Sequence, residues 1–215
     1  MIRPPRSSSS AFTLIEMITV IAIIAIIAGL ILAVNGLVQK KAASSRAEGE
    51  IRTISSALEA YKTDNGGYPQ DLQKTDSLDA RNISAATNIS KTGVMAQSSL
   101  YLYEQLSGDQ NDNGVIDSTE TAKNYMPDFF KPSRVYKDPS DGKIKYIMDP
   151  FGNPYGYSTA GLLVEQEYRR DLSTNPNAPR NDKNSVNTQG YNPTFDLWST
   201  AGDTAGNTAK WIKNW

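Results

Sequence analysis

The chain has 215 residues, with 22 basic and 23 acidic side chains, and its formal net charge is −1. No charge excess attracts nucleic acid, so we expect no nucleic-acid partner. Cysteine and histidine are both absent, which excludes disulfides, thiolate or imidazole metal ligands and any catalytic triad that needs histidine. Only carboxylate, lysine or tyrosine chemistry remains for an enzyme, so the composition favours a structural role.

An apolar segment follows a short basic N-terminus. Residues 1–11 contain two arginines, and no charged residue occurs from Met17 to Gln39. As a helix, the stretch from Met17 to Val38 would span roughly 33 Å, which matches a bilayer core of about 30 Å. The sequence therefore predicts a single membrane crossing.

A cleavable secretory signal peptide is the alternative interpretation of this region, but two features argue against it. The apolar run is longer than the usual signal-peptide core of about 7–15 residues. Glu16 also lies inside the apolar block, where a carboxylate costs on the order of 2.5–3.5 kcal/mol and is usually functional. A signal peptide gains nothing from such a residue.

The residues from Ala11 to Met17 read AFTLIEM. With the basic leader and the apolar run, they resemble the class III signal of type IV pilins and type II secretion pseudopilins. The resemblance implies that a prepilin peptidase cuts between Ala11 and Phe12 and methylates the new amino group of Phe12. Alanine replaces the more common glycine before the cut, and we expect slower processing at most.

The resemblance also assigns Glu16 a role in assembly, as the fifth residue of the mature chain. After the cut, Glu16 lies about one helical turn from the new amine of Phe12. The ammonium group of a neighbouring copy could then neutralise this buried carboxylate, and such pairing would offset the desolvation cost of each charge.

Beyond the apolar run, the sequence pattern becomes that of an amphipathic helix. Charged residues, Glu50 among them, alternate with an apolar stripe at 4-3-4-3 spacing, which consists of Ala47, Ile51, Ile54, Leu58 and Tyr61. No proline occurs between Phe12 and Lys62, so we expect one continuous helix that ends at the following Asn-Gly-Gly turn. A coiled coil is the alternative, but the stripe covers only about two heptads.

The block ALEAYKTDNGGYP, at residues 57–69, is similar to the end of the long helix in major pseudopilins of type II secretion. The blocks DPFGNPYGY and FDLWSTAGD resemble later landmarks of that family. The resemblance implies an α+β fold, with a long N-terminal helix whose first half is transmembrane and whose second half packs on a small antiparallel sheet with long loops. The expected segments are a cleaved leader (1–11), a transmembrane and filament-core helix (12–35), its amphipathic half (36–66) and a globular domain (67–215).

The globular domain contains short strand patterns and two stretches outside the resemblance. Strands are predicted at 143–148, at 194–199 and in the aromatic run after the turn at residues 149–154. The aromatic side chains of these strands are interpreted as sheet core in preference to a ligand-stacking surface. An insertion at 70–142 should contain a helix around 98–106, and an Asn-rich loop is expected at 171–193.

Within the insertion, residues 109–120 (DQNDNGVIDSTE) match a twelve-position calcium loop of the EF-hand type. Gly114 occupies the turn position, and Ile116 is expected to contact the core. A surface turn without metal is the alternative, and no second loop of this type is present to pair with it. The candidate ligands provide carboxylate, amide and carbonyl oxygens to a hard cation, and they are Asp109, Asn111, Asn113, Val115, Asp117 and Glu120.

The family resemblance suggests a second calcium candidate at the C-terminus. Major pseudopilins commonly hold calcium in a C-terminal loop, and Asp203 falls on its first acidic position. The later acidic position is occupied by Trp211, and no acidic residue follows Asp203. This site should therefore be weak, and either the inserted loop carries the calcium or packing of Trp211 holds the C-terminal tail.

Taken with the resemblance, the sequence predicts a pseudopilin subunit that polymerises into the periplasmic pseudopilus of a type II secretion system. Its expected partners are further copies of itself, the prepilin peptidase, minor pseudopilins and an inner-membrane assembly platform. It should be a single-pass inner-membrane protein with a periplasmic globular domain. A type IV pilin for adhesion, motility or DNA uptake is the nearer alternative, and a membrane-anchored carboxylate hydrolase is a remote one.

Overall fold

The computed structural model describes residues 12–83, 89–180 and 189–215, without the side chains of residues 31–35. The predicted leader with Ala11, part of the insertion (84–88) and part of the Asn-rich loop (181–188) therefore lie outside the described residues. The chain forms two compact units, Met1–Ala42 and Ala43–Trp215.

The first helix, α1, extends from Leu14 to Asn65 over 52 residues, without the break that a proline would have caused. It begins two residues later than Phe12 because Thr13 caps it. The Thr13 Oγ1 atom accepts a hydrogen bond from the Glu16 N–H at 3.3 Å, and the Glu16 carboxylate accepts one from the Thr13 N–H at 2.8 Å. This reciprocal pair is a capping box, which fixes where the helix starts.

In the first unit, the described side chains from Phe12 to Leu30 are exposed. Within the described residues, no helix combines the length and apolar character needed to cross a membrane. The uncharged sequence continues through residues 31–35, whose side chains are outside the described part.

In the second unit, the predicted apolar stripe of α1 faces the core. Ala47, Ile51, Ile54 and Leu58 are buried, and Tyr61 is partly buried. The placement of Glu50 on a polar face was wrong, because Glu50 is only 4% exposed. Its burial is compensated by charged and polar partners: Arg46 Nε at 2.8 Å, Arg134 Nε at 3.0 Å and the Tyr155 hydroxyl at 2.8 Å.

The strands form two small antiparallel sheets instead of the single sheet predicted. Strands β1 (Val135–Lys137) and β2 (Ile144–Ile147) pair with each other. The other sheet has the order β3-β4-β5, formed by Gly156–Ser158, Asp196–Ser199 and Ile212–Lys213. All residues of β3 and β4 are buried.

Two further helices belong to the globular unit. Helix α2, Val94–Ser107, confirms the helix predicted around 98–106 and packs against β2 and β3. Helix α3, Ala160–Thr174, was not predicted, and its last turn occupies the start of the supposed Asn-rich loop. Only Ala160 of α3 is fully buried, so the helix lacks the clear apolar stripe that identifies a helix from sequence.

Aromatic packing joins the C-terminus to the three-stranded sheet. Trp198 is fully buried and stacks on Trp211 with ring centres 5.7 Å apart. Gly156 makes room for it, because a Cβ atom at Gly156 would lie 2.1 Å from the Trp198 ring. A glycine is therefore required opposite the indole.

Candidate functional sites

Phe12 of the predicted processing site and Glu16, predicted for assembly, are both among the described residues. Phe12 precedes helix α1 and is 81% exposed, while Glu16 lies in the first turn. The Glu16 Oε2 atom also accepts a hydrogen bond from the Thr13 hydroxyl at 2.7 Å. Sequence analysis missed the role of Thr13, although the T-x-x-E spacing is the signature of a capping box.

The inserted loop begins where α2 ends. Gly108 follows the helix in a left-handed conformation (φ 82°), and a Cβ atom there would lie 2.8 Å from the Ala122 carbonyl oxygen. Asp109 comes next and is 1% exposed. Its Oδ2 atom accepts hydrogen bonds from the Tyr103 hydroxyl at 2.6 Å and from the Gly114 N–H at 2.7 Å. Its Oδ1 atom is buried and has no hydrogen-bond partner among the described residues.

Other predicted ligands accept hydrogen bonds from backbone N–H groups of the same loop. The Asn111 and Asn113 side-chain oxygens accept the N–H groups two residues further on, at 3.1 and 2.6 Å. The Glu120 carboxylate accepts the Gln110 N–H at 2.7 Å, so the last position of the loop returns to its start. Gly114 has φ 84°, the left-handed conformation that the turn position needs.

The loop is attached to the sheet, but its tip is exposed. The Ile144 N–H of β2 donates to the Asp112 carbonyl at 2.7 Å, and the Lys137 ammonium donates to the Asn113 carbonyl at 2.7 Å. Val115 is 63% exposed and Ile116 is 46% exposed. The predicted core contact of Ile116 was therefore wrong, because the strand contacts are made by backbone groups on the other side of the turn.

In the described conformation of the chain, no three acidic side chains lie close enough together to hold a metal ion. The geometry does include an oxygen-rich loop with two buried carboxylate oxygens that have no partner among the described residues, Asp109 Oδ1 and Asp112 Oδ1. Oxygen donors of this kind suit a hard cation such as calcium.

The C-terminal candidate, Asp203, has a cationic partner within the chain. Lys210 Nζ lies 2.8 Å from the Asp203 carboxylate, whose other oxygen accepts the Ala205 N–H at 2.9 Å. The Lys210 ammonium lowers the pKa of Asp203. Trp211 is 5% exposed and stacks on Trp198.

The comparisons with known proteins concern the N-terminal half of the chain. Residues 6–32 match the prokaryotic N-terminal methylation motif, and residues 37–102 match the family described as type II secretion system (T2SS), protein G. No curated protein and no solved structure matches the chain significantly.

A methylation motif followed by a long helix and a small α+β unit defines the prepilin class of proteins. The second match is specific to type II secretion, and neither match gives better support to a type IV pilin. Together the two matches support a pseudopilin of type II secretion. Proteins of this family are structural and not catalytic.

Proposed function

We propose that the chain is a structural subunit of the periplasmic pseudopilus, the filament of the type II secretion system. The observation that carries this proposal is the order of the two family matches, with the methylation motif at 6–32 directly followed by the protein G match at 37–102. Helix α1 includes residues 14–32 of the first matched region and residues 37–65 of the second. We propose no catalytic activity for the chain.

Maturation requires the prepilin peptidase. The peptidase cuts between Ala11 and Phe12 and methylates the Phe12 amine. Phe12 and Thr13 precede the helix, and an extended substrate suits a protease better than a helical one. The uncharged segment from Met17 to Gln39 then anchors the mature chain in the inner membrane, with the globular unit in the periplasm.

Assembly places many copies, together with minor pseudopilins, on an inner-membrane platform. Within the membrane, the Glu16 carboxylate of one copy pairs with the Phe12 ammonium of the next, because each charge is unfavourable alone in an apolar surrounding. The hydrogen bonds from Thr13 hold the Glu16 carboxylate in the single chain until the neighbour replaces them.

Calcium is the structural ion of the inserted loop in this proposal. Asp109 would supply its free buried oxygen, and Asn111, Asn113, the Val115 carbonyl, Asp117 and Glu120 would complete the oxygen ligands. Asp203 is a much weaker candidate, since Lys210 already neutralises its charge.

Mass spectrometry of the membrane-extracted protein tests the proposed function. The expected mature chain begins at Phe12 and carries one methyl group on its amine. Purified filaments that contain this form would support the structural role. A chain that retains residues 1–11, or one cut within the apolar segment as a signal peptide would be, contradicts the proposal.

A further inference from the structure

The inserted loop presents an apolar projection on the surface of the globular unit. Among the described residues of this unit, only Leu72, Val115 and Ile116 are large hydrophobic residues with exposed side chains. Val115 and Ile116 are adjacent at the loop tip. We call this pair the loop knob. Two neighbouring exposed aliphatic side chains on a rigid turn are more typical of a contact surface than scattered single ones.

The loop knob is surrounded by a negatively charged loop. Residues 109–120 contain four carboxylates and no basic residue. A bound calcium ion would neutralise only two of these negative charges, so the loop would stay acidic with or without the ion. The Lys137 ammonium donates to the Asn113 carbonyl of the loop, and Lys143, Lys145 and Lys74 act electrostatically on Asp112.

A concave groove whose lining includes two basic residues lies elsewhere on the same unit. It has a volume of about 770 Å³ and runs between α1 and the C-terminal strand β5. Its lining includes the apolar residues Ile51, Trp211 and Ile212, which we call the floor, and the charged residues Arg52, Lys213 and Glu48. Within the described residues, neither Arg52 nor Glu48 forms a side-chain ion pair or hydrogen bond, so both charges are available to a partner.

From this complementarity we infer that the loop knob of one copy docks in the groove between α1 and β5 of a second copy. The apolar pair covers the floor of the groove, the acidic loop faces Arg52 and Lys213, and Lys137 faces Glu48. The inference rests on the proposed filament, since it assigns a contact between globular units within it.

The geometry of this contact agrees with an open assembly. The two surfaces are different parts of one chain, so the contact is heterologous and a pair of copies retains one free knob and one free groove. Heterologous contacts produce a helical filament when their rotation does not close into a ring. Charge complementarity would determine how the loop knob is aligned in the groove more than how tightly the two copies bind.

Chemical crosslinking in cells that assemble the filament tests the contact directly. The natural chain has no cysteine, so a bismaleimide can link two copies of it only through introduced thiols. Two differently tagged full-length chains, one with Val115→Cys and one with Ser55→Cys, are produced together. We expect a doubly tagged dimer, because Ser55 lines the groove. The control pair combines Val115→Cys with Asp128→Cys, an exposed position on another groove, and should give at least tenfold less dimer.

A second measurement uses side-chain truncation. Val115→Ser keeps the backbone carbonyl that the proposed calcium site uses, and we expect at least a tenfold loss of filaments. Leu72→Ser is the matched control, since Leu72 is 71% exposed but lies outside both surfaces. Mass spectrometry confirms that both variants are processed at Phe12.

Failure of this inference differs from failure of the proposed function. Wild-type chains that never form filaments would overturn both. Wild-type filaments without the Val115–Ser55 link, or with equal linking to Asp128, would overturn the docking contact alone. The same conclusion follows if Val115→Ser filaments form normally but export falls, because the loop knob would then face an exported protein instead of a second copy.

Discussion

Asp196 is a buried carboxyl group that holds the segment before β4. It is 1% exposed and accepts the N–H groups of Tyr191 at 2.7 Å and Asn192 at 2.9 Å. Burial raises the pKa of Asp196 to about 6, although the two hydrogen bonds oppose the shift. The folded protein therefore binds a proton at Asp196 more tightly than the unfolded chain does.

The raised pKa predicts that the protein becomes more stable on mild acidification. The pKa of Asp196 is 3.8 in the unfolded chain and about 6 in the folded protein. The free energy of unfolding therefore falls as the pH rises through this interval. Going from pH 7 to pH 5 should therefore increase the free energy of unfolding by about 1 kcal/mol through Asp196. The chain has no histidine that would titrate in this range.

Urea unfolding at both pH values, followed by tryptophan fluorescence, measures this difference, since all three tryptophans lie in the globular unit. Asp196→Asn should show a smaller pH dependence than the wild type, while Asp149, whose pKa burial also raises, contributes equally to both proteins. Equal pH dependence in the two proteins would show that Asp196 does not titrate in this range.

Glu50 connects α1 to the rest of the globular unit, and its removal should be costly. Glu50→Ala leaves the buried Tyr155 hydroxyl without its acceptor and separates Arg134 from its counterion. We expect a loss of about 3 kcal/mol in the free energy of unfolding. Glu48→Ala, on an exposed part of the same helix, should change stability by less than about 0.5 kcal/mol. Equal effects of the two substitutions in urea unfolding would refute a structural role for Glu50.

The contrast between Ile54 and Glu50 shows what sequence can reveal about single residues. The burial of Ile54 follows from the local spacing of apolar residues on one helix face. The burial of Glu50 depends on Arg134 and Tyr155, which are 84 and 105 residues away in the chain. No local pattern brings these three side chains together. Glu50 was therefore predicted to lie on an exposed face of the helix.

The same limit applies to secondary-structure elements. The turn at Asp141-Gly142 lies between β1 and β2 and was visible in the sequence, as was the segment that forms β2. Strand β3 instead pairs with β4, which lies beyond α3 and the Asn-rich segment. Long-range pairing of this kind follows from packing, here the fit of Trp198 over Gly156, and so the division into two sheets was not predictable.

The fit of Trp198 over β3 can be tested by adding a single methyl group. Gly156→Ala would place Cβ 2.1 Å from the Trp198 ring, and the fully buried indole has little space to move. Overpacking of this type costs about 1–3 kcal/mol in the free energy of unfolding. Gly67→Ala is the control, since nothing lies within 4 Å of a Cβ atom there. If both variants unfold at the wild-type urea concentration, Trp198 does not depend on Gly156.

We expect calcium bound in the inserted loop to increase the free energy of unfolding. An ion that binds only the folded loop stabilises the protein by RT ln(1 + [L]/Kd), or about 2.7 kcal/mol at a hundredfold excess over Kd. Extracellular calcium sites often have Kd values of about 10⁻⁴–10⁻³ M, so millimolar calcium should give a smaller shift. Glu120→Gln should abolish most of the gain, because it removes a bidentate ligand. Asp203→Asn should retain it, because Asp203 is already paired with Lys210.

Thermal unfolding in EDTA and in millimolar calcium separates the two candidate sites. A shift that survives Glu120→Gln but disappears in Asp203→Asn would place the ion in the C-terminal loop. The absence of any shift in the wild type would show that the inserted loop is a surface turn without metal.

At the scale of the whole molecule, processing and the contacts of the globular unit depend on different parts of the sequence. The processing signal is a contiguous motif, and the methylation-motif match covers it, so it could be identified from sequence alone. The surfaces of the globular unit combine residues from distant segments, such as Arg52 of α1 and Lys213 of β5. Their arrangement required the structure, because no sequence pattern places these two residues on one groove.

This separation predicts that processing and assembly can be uncoupled at Glu16. Glu16→Ala should still be cut before Phe12, because the carboxylate takes no part in peptide hydrolysis and its loss makes membrane insertion easier. The variant should nevertheless fail to form filaments, since no counterion remains for the neighbouring Phe12 ammonium.

Thr13→Val is the informative comparison. It removes the hydroxyl that donates to the Glu16 carboxylate and caps the helix, but it keeps the Glu16 carboxylate itself, so filaments should still form. Mass spectrometry of the N-terminus and electron microscopy of sheared filaments provide the two readouts. A normal filament yield from Glu16→Ala would rule out the proposed pairing with Phe12.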